Sequence, residues 1–163
     1  MWLDNSRANP YPTVEKEIIA MTDLTLEAAR KIIDAALAKG LEKKLNPLAV
    51  AVLDARGALK AFAAQDGTSL KRGEIAHGKA YGALALGMGS RSIFKRAQEQ
   101  AYFIGAVNSL VGGALVPVPG GVLVFNGSGN LLGAVGISGD TSDNDEACAI
   151  AGIDAAGFTA NPG

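Results

Sequence analysis

The chain has one cysteine and one histidine in 163 residues. Cys148 alone cannot close an intramolecular disulfide, and with His77 it cannot build a zinc site of Cys and His ligands. A lone thiol fits a reducing compartment, so a cytoplasmic protein is expected. The formal net charge of −1 does not favour nucleic acid or an anionic membrane, which call for a basic face; Lys and Arg concentrate between Lys71 and Arg96, but Glu74 and Glu99 interrupt them, and neither partner is expected. Residues 1–20 lack a continuous apolar run, being broken by Asp4, Arg7, Glu15, Lys16 and Glu17, which excludes a secretory signal or a span there. A serine-triad motif, a dinucleotide fingerprint and a regular repeat are also missing. Hydride transfer and hydrolysis by a standard nucleophile are therefore disfavoured.

Glycine is abundant: 21 of 163 residues, nearly twice the usual ~7%. Without a repeat to accompany it, such a content implies backbones that approach one another closely inside one domain. Residues 1–22, with Trp2, Pro10, Tyr11 and Pro12, read as an arm that could dock on a neighbouring subunit, and Met21 is an alternative start. Residues 23–163 read as a single domain.

Leu26, Ala29, Ile33, Ala36 and Leu37 fall at helical spacing between a Thr25 cap and a Gly40 stop. Leu48–Leu53 and Leu59–Ala64 read as strands joined by the turn Asp54-Ala55-Arg56-Gly57, hence antiparallel. Helices are expected over 71–88 and 92–107. A second hairpin follows over 122–125 and 131–137 around Asn126–Asn130, and then a helix whose start carries Asp140, Asp143, Asp145 and Glu146. Asp143 with Glu146, or Ser142 with Asp145, satisfies a capping pattern. Four carboxylates there repel phosphate, which leaves them as caps or as a pocket rim. Two hairpins around a helical insert predict an α+β fold, one largely antiparallel sheet with helices packed on it.

On the helix over 74–86, Glu74, His77, Tyr81 and Ala85 share one stripe, and Lys79 shares another with Ile75, Ala83 and Leu86. Gly73, Gly78, Gly82 and Gly87 each lower helix propensity by up to about 1 kcal/mol relative to Ala, so close packing must offset them. His77 is either a satisfied surface residue or a neutral ligand for an iron, with Tyr81 as a weaker alternative. Lys79 either snorkels to solvent or, if buried, requires a carboxylate from Asp66, Asp145 or Glu146.

Asp66-Gly67 after a strand, Ile75-Ala76-His77-Gly78-Lys79-Ala80, Pro119-Gly120-Gly121, and Gly136-Ile137-Ser138-Gly139 followed by Asp145-Glu146 together resemble the GlcG/HbpS-like family. Its members are haem-binding or haem-degrading domains related to the C-terminal domain of PduO-type proteins. The likeness spans about Leu24 to Phe158. It implies a profilin-like or PAS-like five-stranded sheet with flanking helices and a homo-oligomer, from a dimer up to an octamer. It also implies a small-molecule ligand, and members of the family bind haem; the cofactor expected is haem or none. Lys79, Asp66, Pro119, Gly120, Gly121, Asp145 and Glu146 match the family pattern, whereas Ala64-Gln65 and Gly82 stand where members often carry an arginine and a threonine.

Three functions follow, the third of them an oligomeric accessory role with no small ligand, in which the glycine-rich surfaces serve assembly. The first is binding of haem or a related tetrapyrrole, between the glycine-rich helix and the final hairpin near a subunit interface. Its contacts would be His77, Tyr81, Asp66, Pro119, Gly120 and Gly121, with His77 on the iron. The second is a cofactor-independent enzyme for a small organic acid or carbonyl compound, with Lys79 as electrostatic group or amine and Asp145, Glu146 or Glu74 as acid or base.

Overall fold

A computed structural model describes residues 23–163; the arm expected over residues 1–22, with Trp2, Tyr11 and Met21, lies outside the described residues. The helices are α1 (Leu26–Glu42), α2 (Arg72–Leu86), α3 (Ser90–Glu99), α4 (Ala101–Leu110) and α5 (Ser142–Ala155). The strands are β1 (Ala49–Asp54), β2 (Leu59–Ala64), β3 (Gly121–Phe125), β4 (Leu131–Ser138) and β5 (Thr159–Asn161). The strands form one antiparallel sheet in the order β2-β1-β4-β3-β5. The architecture is α+β, with helices on both faces of the sheet.

The two faces differ in side-chain size, and that difference sets how close each helix comes. Val50, Val52, Val122, Val124, Val135 and Ile137 meet Ile32, Ile33 and Ala36 of α1 and Cys148, Ala149 and Ile153 of α5 in the main core. The opposite face offers Ala49, Ala51, Leu53, Leu123 and Ala134 to Ala76, Ala80 and Ala83 of α2. Glycines complete that second face. A Cβ on Gly136 would lie 1.8 Å from the Ala76 carbonyl oxygen, and one on Gly121 would lie 2.2 Å from that of Lys79. Helix α2 thus rests on the sheet backbone to backbone.

Packing also explains the glycines within α2. A Cβ on Gly73 would come within 2.9 Å of Phe62, one on Gly78 within 2.6 Å of Val116, and one on Gly82 within 2.9 Å of Leu115. Gly87 ends the helix in the left-handed region, φ 65°. Gly40 does not stop α1, which continues to Glu42; it is buried, and a Cβ there would meet Leu48 Cδ1 at 2.7 Å.

The single helix expected over 92–107 is two helices. Gln100 leaves helical geometry at φ −137°, ψ 57°. The break turns Ile104 into a small cluster with Ile93 and Leu115, while the Arg96 guanidinium lies 3.9 Å over the Phe103 ring across the junction. The cap of α5 is likewise Thr141, whose hydroxyl accepts from Asn144 N, and not Ser142 or Asp143. Among the described residues no helix is long and apolar enough to cross a membrane.

Substitution of Gly136 by Ala should therefore destabilise the protein by about 3 kcal/mol or more, because helix backbone has to move. Gly127→Ala, in a hairpin loop with nothing within 4 Å of the added Cβ, should stay within about 0.5 kcal/mol of wild type. Denaturant unfolding of both variants checks the contrast.

Candidate functional site

Because α2 sits so low, Lys79 cannot reach bulk solvent, and its ammonium runs along the sheet to the end of β4. It donates to the Ile137 carbonyl oxygen at 2.8 Å and to Asp145 Oδ2 at 2.9 Å. The side chains are 3% and 1% exposed, so this is a buried ion pair. Asp145 stands in the first turn of α5, and its other oxygen accepts from Asp140 N at 3.0 Å. Of the three carboxylates expected for Lys79, Asp145 takes the role. Asp66 is exposed in the turn after β2, and Glu146 binds elsewhere. Burial pushes the Lys79 pKa down and that of Asp145 up, each opposed by the other's charge and hydrogen bond.

Pro119, Gly120 and Gly121 are buried beside this pair. Gly120 has φ 116°, and a Cβ there would lie 2.9 Å from Lys79 Nζ and 3.1 Å from Asp145 Cβ. Gly121 N donates to Ser90 Oγ at 2.7 Å, which fixes the start of α3. The glycine-rich helix and the acid-tipped start of α5 do meet, within one chain. The space between them is filled rather than open.

The remaining carboxylates of the cluster are also engaged. Glu146 accepts from Arg91 Nε through both oxygens, at 2.9 and 3.0 Å, and Asp143 accepts from the same guanidinium. Arg91 on α3 thereby clamps the start of α5. Asp140 accepts from Asn144 Nδ2 at 2.7 Å, from Asn46 N and Nδ2 at 3.0 and 2.9 Å, and from Thr141 N at 2.9 Å. These bonds, that from Asn144 foremost, hold its carboxyl at about 2. Cys148 is buried, and burial pushes its thiol pKa up, away from reactivity.

His77 and Glu74 belong to a different place. A cavity of about 780 Å³ opens between α2, the outer part of the first hairpin and the segment before β3. Leu59, Phe62, Leu70, Ile75, Ala114 and Val116 give it apolar walls, and His77, Glu74 and Lys71 also line it. Lys71 Nζ donates to both Glu74 oxygens at 2.8 Å. The His77 ring stacks on Tyr81, centroids 5.7 Å apart and planes 15° from parallel. Tyr81 in turn packs where a Cβ on Gly57 would be 3.3 Å away. This cavity thus lies against the first hairpin.

The residues singled out in the sequence accordingly divide in two. Lys79, Asp145, Gly120 and Gly121 form a closed polar joint with Arg91 and Glu146 next to it, whereas His77 and Glu74 face an open apolar space. Arg91 escaped sequence reading because its partners lie more than 50 positions away. Leu59, Phe62 and Leu70 were read only as strand or connection, yet they are 56%, 48% and 90% exposed. The lack of polar alternation in β2 was the available signal.

Two outcomes test these polar contacts. Lys79→Met should cost about 3–5 kcal/mol, since it strands a buried carboxylate. Adding Asp145→Leu should recover part of that, giving a coupling above about 1 kcal/mol in a double-mutant cycle, against simple additivity if the pair is not coupled. The low Asp140 pKa signifies stability present above the ordinary value of 3.8 and lost as pH falls through about 2. Asp140→Asn should therefore lower stability at neutral pH and flatten its decline over that acid range, measured by urea unfolding at several pH values.

Comparison with known proteins accords with this architecture. Residues 24–154 match the family described as haem degrading protein, HbpS-like. An uncharacterised 15.0 kDa protein of Citrobacter freundii, encoded in the dhaT-dhaS intergenic region, is 31% identical over 131 residues, spanning 80% of this chain and 90% of that protein. The PduOC structure, a complex with haem, superposes with a TM-score of 0.74 at 25% identity, covering 82% of this chain and 95% of PduOC. A double mutant of HbpS from Streptomyces reticuli gives a TM-score of 0.70 at 26% identity, over 90% and 96% of the respective chains. The match over residues 24–154 makes this chain a member of the HbpS-like family.

Proposed function

We propose that the protein binds haem or a related tetrapyrrole in the cavity between α2 and the first hairpin, with His77 as the iron ligand. The observation that carries this reading is that the chain's one imidazole opens on an apolar cavity of about 780 Å³, within the ~300–1,000 Å³ usual for small-molecule sites. The residues fit the group. Leu59, Phe62, Leu70, Ile75 and Val116 suit the faces of a flat apolar macrocycle, and a neutral imidazole suits its iron. Stacking on Tyr81 fixes the plane of the His77 ring, so Tyr81 orients the ligand rather than replacing it. The relative solved with haem supports haem as the class of ligand. When bound, haem supplies a redox-active iron; the chain's part is to hold it and to shield its faces from water.

Catalysis through Lys79 has less support. A substrate would have to reach an ammonium already enclosed by Ile137 O, Asp145 and the Gly120 backbone.

We also infer that copies of the chain associate through α4. Tyr102 and Leu110 on that helix are 78% and 86% exposed. No Asp, Glu, Lys or Arg occurs over 101–139, so two copies meeting there incur no like-charge repulsion from this segment. Leu110→Glu should lower the mass measured by light scattering; an unchanged mass rejects this surface.

Haemin titration tests the main reading. Wild type should develop a Soret band, and His77→Ala should shift that band and weaken binding. An identical spectrum and affinity in the variant removes His77 as ligand, and absence of binding to wild type removes the proposal.

A further inference from the structure

We infer that the Lys71–Glu74 ion pair is the selectivity element of the cavity: Lys71 receives a carboxylate of the ligand, and Glu74 competes for the same ammonium. The inference rests on the cavity-binding reading above and deepens it to a ligand class, a flat apolar ring system with an acidic edge, such as a tetrapyrrole bearing free propionates.

Three observations lead there. Among the described residues that line the cavity, Lys71 and Glu74 are the only ones formally charged, the rest being apolar or glycine apart from His77. An ionised group on a ligand in this space therefore has this pair as its charged contact. The pair is also exchangeable. Its side chains are 64% and 69% exposed, unlike the enclosed Lys79–Asp145 joint, and an ion pair so exposed is held weakly.

The position on the helix adds the third observation. Lys71 occupies the N-cap position of α2, where no side-chain hydrogen bond caps the helix, and Glu74 is the acid of the first turn. Glu74 thus answers both the ammonium and the positive end of the helix. A ligand carboxylate can take over both tasks, and Glu74 then swings into solvent as a nearby negative charge that disfavours the bound anion. Lys71 precedes His77 by six residues, about 9 Å along the axis, so the acidic edge and the His-facing centre of the ligand are read at separate points.

The test is titration of the full chain with haemin and with haemin dimethyl ester, which has the same ring and iron but no ionised propionates. Wild type, Glu74→Gln and Lys71→Met are compared at low and high salt. Glu74→Gln should tighten haemin about two- to fivefold, the range expected of an exposed ion pair, and Lys71→Met should weaken it by a similar factor. The ester should bind all three proteins alike, and salt should shrink the differences for haemin alone. If haemin and ester affinities move together, or neither responds to the substitutions, the selectivity assignment is overturned while the cavity reading stands. If wild type binds neither compound, both fall.

Discussion

The contact on which this molecule depends is that of α2 with the sheet, backbone against backbone. It requires Gly121 and Gly136 on the strands, because a Cβ at either position would enter the helix main chain. Two consequences follow from that seat. Alanines fill most of the layer between helix and sheet, alongside Leu53 and Leu123. Lys79, forced inward on the same surface, finds its partners at the end of β4 and the start of α5. An ammonium placed there ties three elements whose sequences are far apart.

Such a pair is costly to desolvate, and replacing both partners by apolar residues can leave a protein equally stable. Its value here is geometric. It fixes how α5 leaves β4, and the neighbouring contacts of Arg91 with Glu146 and Asp143 fix α3 against the same turn. The charged groups that look most chemical in the sequence are thus occupied with holding the fold. On the proposed reading, the outer flank of α2 carries the function. There His77, held by Tyr81, and the exchangeable Lys71–Glu74 pair stand over apolar walls.

How much of this was legible follows from how local each feature is. Thr25 as the cap of α1, both hairpins and the helix–hairpin order were readable because turn residues and apolar periodicity act over a few positions. The α5 cap was misplaced by a residue or two, since Thr141, Ser142 and Asp143 are all good caps. The break at Gln100 was hidden, because nothing in that residue opposes a helix; the cluster of Ile93, Ile104 and Leu115 imposes it. Glycine's excess was readable as close approach, but which backbones approach was not. For the site, proximity of Lys79 to the acids was one of several open alternatives. The location of the cavity depended on Leu59, Phe62 and Leu70 being left uncovered, which only the assembled fold reveals.

The central claim is that the apolar space beside His77, and not the Lys79 joint, receives the ligand. A crystal structure of the protein grown with haemin tests it most directly. The account predicts a tetrapyrrole between α2 and β2 with its iron bonded to His77. A tetrapyrrole lodged against Lys79 and Asp145, or bound with His77 unligated, would contradict it.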